Sequence, residues 1–152
     1  MAGDCSNSTN GGRVMTGVVN DYAKPLFLAA KLAGIPFIGG RLRMGLGTAN
    51  FSPSETSVLA DFIEATFPGY TRPLIGPGWT PPVLTAAHTA LSSAPAVSFT
   101  NTAGVATPLI YTWFWIDTLP NEIVMAGVFD LPYQIPAGQS AIWTPAMETT
   151  GD

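Results

Sequence analysis

Two apolar runs joined by a five-residue loop constrain this chain more than anything else in it. Leu109–Ile116 (LIYTWFWI) and Glu122–Phe129 (EIVMAGVF) flank Asp117–Asn121 (DTLPN). Both runs are rich in aromatic and aliphatic side chains, and both are apolar at odd and even positions alike. They fall well short of the roughly 20 residues that a membrane helix needs, and their residue types suit strands. A hairpin apolar on both sides either lies centrally in a sheet, covered twice, or turns one side to a partner subunit.

The rest of the chain repeats the strand signal in shorter pieces. Leu42, Met44 and Leu46 alternate with Arg41, Arg43 and Gly45, the period-two pattern of a strand with one covered face. Tyr70–Ile75 reads as strand, Leu84 and Ala86 begin another, and Ala96–Asn101 sets Val97 and Phe99 opposite Ser98 and Thr100. Ser140–Trp143 is a last short one, after a turn at Ile135–Gly138 with Pro second and Gly fourth. The loop Gly76–Pro82 (GPGWTPP) admits no regular element, and Trp79 within it reads as a plug packed beneath. Short strands separated by Gly/Pro turns predict a mainly β fold, an antiparallel β-sandwich or jelly-roll-like barrel.

One or two short α-helices are expected beside the sheets. The stronger signal follows Gly47–Phe51. Ser52 is an N-cap, Pro53 suits the first helical position, and Glu55 completes a capping box. Val58, Leu59, Phe62, Ile63 and Phe67 then form one apolar stripe opposite Ser57, Asp61 and Glu64. Asp21–Ile35 is the second helix, with Leu28, Leu32 and Ile35 at helical spacing and Gly34 and Pro36 as its stop. Residues 1–20, poor in periodicity and rich in Gly, Ser, Asn and Thr, read as a flexible, extended N-terminal arm. Residues 21–152 read as a single domain.

Charge narrows the partners. Only 11% of the 152 residues are charged, against roughly 25% in soluble domains. A surface so short of ionic groups is either coated with Ser, Thr and Asn or covered by other subunits, and the second reading is preferred here. All six basic residues precede residue 73 and the net charge is -4, which argues against a phosphate-binding stripe and hence against nucleic acid. No apolar stretch is long enough to span a membrane, and the N-terminus lacks a secretory pattern. The lone Cys5 forms no internal disulfide and points to synthesis in a reducing compartment.

No pattern of catalytic residues stands out. His88 is the only histidine, and Ser92 or Ser93 beside it has neither a nucleophile elbow nor a positioned acid. A single His without a Cys or acid cluster is no metal site. Asp61 and Glu64 read as a solvated helix face. Gly45-x-Gly47 and Gly76-x-Gly78 lack the lysine and helix context of phosphate loops. No cofactor is expected. The remaining candidates are Trp79, Tyr111, Trp113 and Trp115, whose rings form either packing surface or a subunit-contact or glycan-binding face.

The succession TANFSPSETSVLADFIEATFPGYTRPLI, GPGWTPP, PAVSFTNTAG, the apolar hairpin and IPAGQSA resembles small β-sandwich structural proteins of tailed bacteriophages, head-decoration (cement) or tail and fibre subunits. The resemblance runs from about Arg41 to Trp143 and leaves out the arm and the first helix. It implies a non-enzymatic virion subunit, made in the host cytoplasm, that decorates the capsid and stabilises it through subunit contacts. Its partners would be itself, as a homo-oligomer such as a trimer, and virion proteins such as the major capsid protein. The alternative within the same group is a tail or fibre component acting as a receptor- or glycan-binding module.

Overall fold

A computed structural model describes residues 2–6, 14–25, 40–81, 83–86 and 89–150. Among these the fold is mainly β and antiparallel, as the strand spacing predicts. The strands are β1 (Ala2–Ser6), β2 (Val14–Val19), β3 (Leu42–Gly47), β4 (Val83–Ala86), β5 (Thr89–Ser93), β6 (Val97–Thr100), β7 (Ile110–Asp117), β8 (Glu122–Tyr133), β9 (Ser140–Trp143) and β10 (Ala146–Thr150). They make a five-stranded sheet in the order β1-β2-β8-β7-β3, a three-stranded sheet β10-β5-β4, and the pair β6-β9.

The doubly apolar hairpin is the middle of the large sheet, and its own chain covers both faces. On one side, Leu42, Met44, Leu46, Trp113, Trp115 and Met125 pack against Val97, Phe99, Ala141 and Trp143 of the β6-β9 layer. On the other, Phe114, Ile116, Ile123 and Ala126 meet Phe62, with Phe51 and Leu59 closing over them. A bulge lets the longer strand serve both sides. Trp115 pairs with Met125 and Ile116 with Ile123, leaving Val124 extra and turned, like Met125, into the larger cluster.

Aromatic rings on β7 fit glycine on the flanking strands. Leu46, Trp113, Gly127 and Gly17 form one row across four strands, and Gly45, Phe114, Ala126 and Val18 form the next. A Cβ added to Gly17 would fall 2.5 Å from the Trp113 ring, and one added to Gly45 would fall 2.2 Å from that of Phe114. The large side chains lie where their neighbours have none, so the rings pack directly over backbone.

Three sequence expectations are corrected. Ser52–Phe67 is not an α-helix: residues 51–58 are irregular and only a 3₁₀ turn at Leu59–Phe62 follows. The reason is tertiary. Glu55 pairs with Lys24 at 2.7 Å rather than reaching back to Ser52, and Asp61 accepts from the Val58 amide at 2.9 Å. The backbone at residues 63–65 is spent on β3, through Thr48 N–H to Ile63 O and Ala65 N–H to Leu46 O. A continuing helix would consume those groups internally, and packing overrides the local propensity. Second, Tyr70–Ile75 is no regular strand. It touches the same β3 edge through one bridge, Arg43 with Leu74.

Third, the N-terminal segment is not simply an arm. Ala2–Ser6 pairs with Val14–Val19, and the latter pairs with β8 inside the main sheet. Of the first helix, expected over Asp21–Ile35, the described residues include a helical turn at residues 23–25, for which Asn20 accepts the Tyr22 and Ala23 amides. Residues 26–39 lie outside the described residues.

Candidate interaction surface

The aromatic face proposed from sequence is not a face. Trp113 and Trp115 are fully buried on the inner side of the large sheet, with ring centroids 5.9 Å apart. Their large apolar area is used in the core, the alternative that strand alternation alone left open. Trp79 does plug its loop: it is half-buried and meets Trp115 edge-on at 5.9 Å. Tyr111 is half-buried and does not belong to that aromatic group. Of the four, Trp79, Trp113 and Trp115 are therefore one packing unit and offer no open aromatic platform to a sugar.

The polar groups are also largely occupied in holding the fold. Glu64, placed on a solvated helix face by the sequence reading, instead accepts from Tyr70 Oη at 2.7 Å and from Arg72 Nε at 2.6 Å. Tyr70 Oη in turn accepts the Leu46 amide at 3.1 Å, so the cluster ties residues 63–75 to the outer edge of β3. Burial pushes the Glu64 pKa up, but the hydrogen bonds from Arg72 and Tyr70 and the Arg72 charge outweigh it and hold the carboxyl below its ordinary value. Burial, and to a lesser extent Glu64, pushes the Tyr70 hydroxyl well above the usual range, against the Leu46 amide. Nothing in the sequence spacing of Glu64, Tyr70 and Arg72 marks them as partners.

At the other end of β3, the fully buried Asp117 accepts from Arg41 Nη2 at 2.8 Å, from Tyr22 Oη at 3.1 Å and from the Leu119 amide at 3.2 Å. Lys24 meets Asp21 and Glu55. Arg43 donates to the Arg72 carbonyl at 2.9 Å. The four described basic side chains thus have intramolecular partners, which gives no phosphate-tracking stripe among the described residues. Gly45 and Gly47 are in strand β3, where close packing on Phe114 and on Thr112 and Phe62 accounts for them. Gly76 and Gly78 stay in an irregular loop. His88 lies outside the described residues, and no group of three metal-ligating side chains occurs among those described. No described helix is long and apolar enough to cross a membrane.

What the structure does leave open is apolar surface. Leu84 is 77% exposed, Leu119 75%, Val105 71%, Ile63 65%, Leu131 63% and Val83 62%. Ile63 is also held at φ +43°, a left-handed conformation that a β-branched residue adopts only at a cost. These side chains sit on several loops and strands, and the sequence reading marked none of them as exposed. Their signal in the sequence was only the shortage of charge. A scan against protein-family models found no match to this chain, and a search of curated proteins found none.

Proposed function

We propose that this chain is a non-enzymatic structural subunit of a virus particle, a decoration subunit of the capsid that binds copies of itself and neighbouring shell proteins such as the major capsid protein. One observation carries the assembly half of this reading: large aliphatic side chains stand in solvent on a body with few charges to disperse it. At about 25 cal/mol for each Å² removed from water, contacts of standard size repeated over many copies add up to a stable shell. The virus setting is supported by the resemblance of residues from about Arg41 to Trp143 to small phage structural proteins. The glycan-binding alternative loses Trp113 and Trp115, which are interior, and keeps only the half-buried Trp79.

Two measurements test the reading. Sedimentation of the purified chain over a wide concentration range is expected to show oligomers, and a monomer at the highest concentration contradicts the assembly half. Antibody labelling of purified particles is expected to decorate the capsid surface. Label confined to the tail, or absent from the particle, contradicts the placement.

A further inference from the structure

We infer that the β4 edge is a docking surface for a second copy of this chain, the two β4 strands meeting about a twofold axis. The inference rests on the self-association proposed above and names the surface that performs it.

β4 is the outer strand of its sheet, and among the described residues no strand pairs with its far side. Val83 and Leu84 are consecutive, so their side chains point to opposite faces of the strand. Both are mostly exposed. Among the described residues nothing pairs with that edge, and Val83 and Leu84 leave one open side chain on each face, unlike the β3 margin of the large sheet, which residues 63–75 cover. Folded proteins commonly guard such an edge with charge, and here there is none: no Asp, Glu, Lys or Arg occurs from Pro73 through Ile116.

Charge and symmetry identify the occupant. An acidic or basic partner finds no counter-charge on this hairpin, whereas a second copy brings an equally neutral edge. With a net charge of -4, exposed Glu122 and Asp130 elsewhere and Glu148 two strands in on β10, copies repel least along the β4 edge itself, which carries no charge. An antiparallel edge is also its own complement under a twofold rotation, so the contact closes at two chains instead of growing into a fibre. Pro81 before the strand and the irregular register between Leu84 and Ala86 keep the shared ladder short. Side-chain burial of Val83 and Leu84 then supplies most of the attraction.

The test compares the native chain with Val83→Glu/Leu84→Glu and with Leu119→Glu, an equally exposed position on the β7-β8 hairpin, by sedimentation velocity. All the sites are exposed, and circular dichroism verifies that each variant folds. The β4 pair is expected to weaken self-association about tenfold or more, while Leu119→Glu leaves it unchanged. Separately, Val83→Cys or Leu84→Cys in a Cys5→Ser background is expected to give a disulfide-linked dimer on oxidation. If the native chain associates, the β4 pair associates equally well and neither cysteine cross-links, the β4 inference is overturned and the assembly reading survives. If the native chain stays monomeric throughout, both fall.

Discussion

Replacing Gly45 with Ala adds a single methyl group and tests how tightly the two faces of the sheet are coupled. That methyl would lie 2.2, 2.3 and 2.9 Å from three atoms of the Phe114 ring. Carbon contacts are comfortable near 3.5–4.0 Å, so the ring has to retreat by about an ångström. It has little room. Phe114 is fully buried, the Phe62 ring stands 4.9 Å from it, and the Arg72 guanidinium lies over it at 5.7 Å. Overpacking of this kind costs about 1–3 kcal/mol. In a chain of this size each kcal/mol lowers the melting temperature by roughly 2–4 °C, and equilibrium denaturation in urea reads the same loss as a lower midpoint. The sharper assay is a double-mutant cycle with Phe114→Leu, which removes the ring the methyl strikes. Each single change is expected to destabilise, and together they should cost about 0.5–3 kcal/mol less than their sum. A Gly45→Ala chain with an unaltered midpoint, or a cycle that adds without coupling, would refute the ring-on-glycine account of the sheet.

Three further outcomes follow from the same contacts. Phe62→Ala empties the centre of the cluster with Phe51 and Phe114 and should cost about 3–5 kcal/mol by chemical denaturation, with a negligible change contradicting its role as the cover of that face. Tyr70→Phe deletes the acceptor of the Leu46 amide and the donor to Glu64, for a loss of about 1–3 kcal/mol. Faster amide exchange at Leu46 is the specific readout. The Glu64 carboxyl has its pKa lowered in the folded chain, so the unfolded chain binds the proton more readily. Its contribution is therefore complete above the unfolded value of about 4.3 and is lost as pH falls through the folded one. Glu64→Gln should flatten that acid limb of the stability curve, and an identical limb in both chains would show that other carboxylates produce it.

How much of this was legible depended on how local each signal was. The β7-β8 hairpin and β6 were readable because their residue types and alternation are properties of a few neighbouring positions. β5 and β10 were not, since Thr89–Ser93 and Ala146–Thr150 carry small and polar residues and take their structure from pairing with each other. The capping pattern at Ser52–Glu55 misled for a related reason. Its helix would have been locally satisfactory, but the amides and carbonyls near Ile63 and Ala65 were needed on β3, and Phe62 was needed under Phe51. Trp113 and Trp115 illustrate the limit for candidate sites. Alternation places both on one face of a strand, but only the β6-β9 layer, remote in sequence, makes that face interior. The Glu64–Tyr70–Arg72 cluster and the β4 edge, unpaired among the described residues, are likewise products of arrangement, with no motif to announce them.

All four indoles belong to one side of the large sheet, while the other side is lined with phenylalanine and aliphatic residues. Intrinsic emission of this protein is therefore a one-sided gauge. The Phe51–Phe62 flap can lift from Phe114 without altering the surroundings of any indole, and a tryptophan-fluorescence melt will record the later collapse of the tryptophan side alone. Deuterium uptake at the Thr48 and Ala65 amides, which bond across to and from that flap's end, is where its lifting will register first.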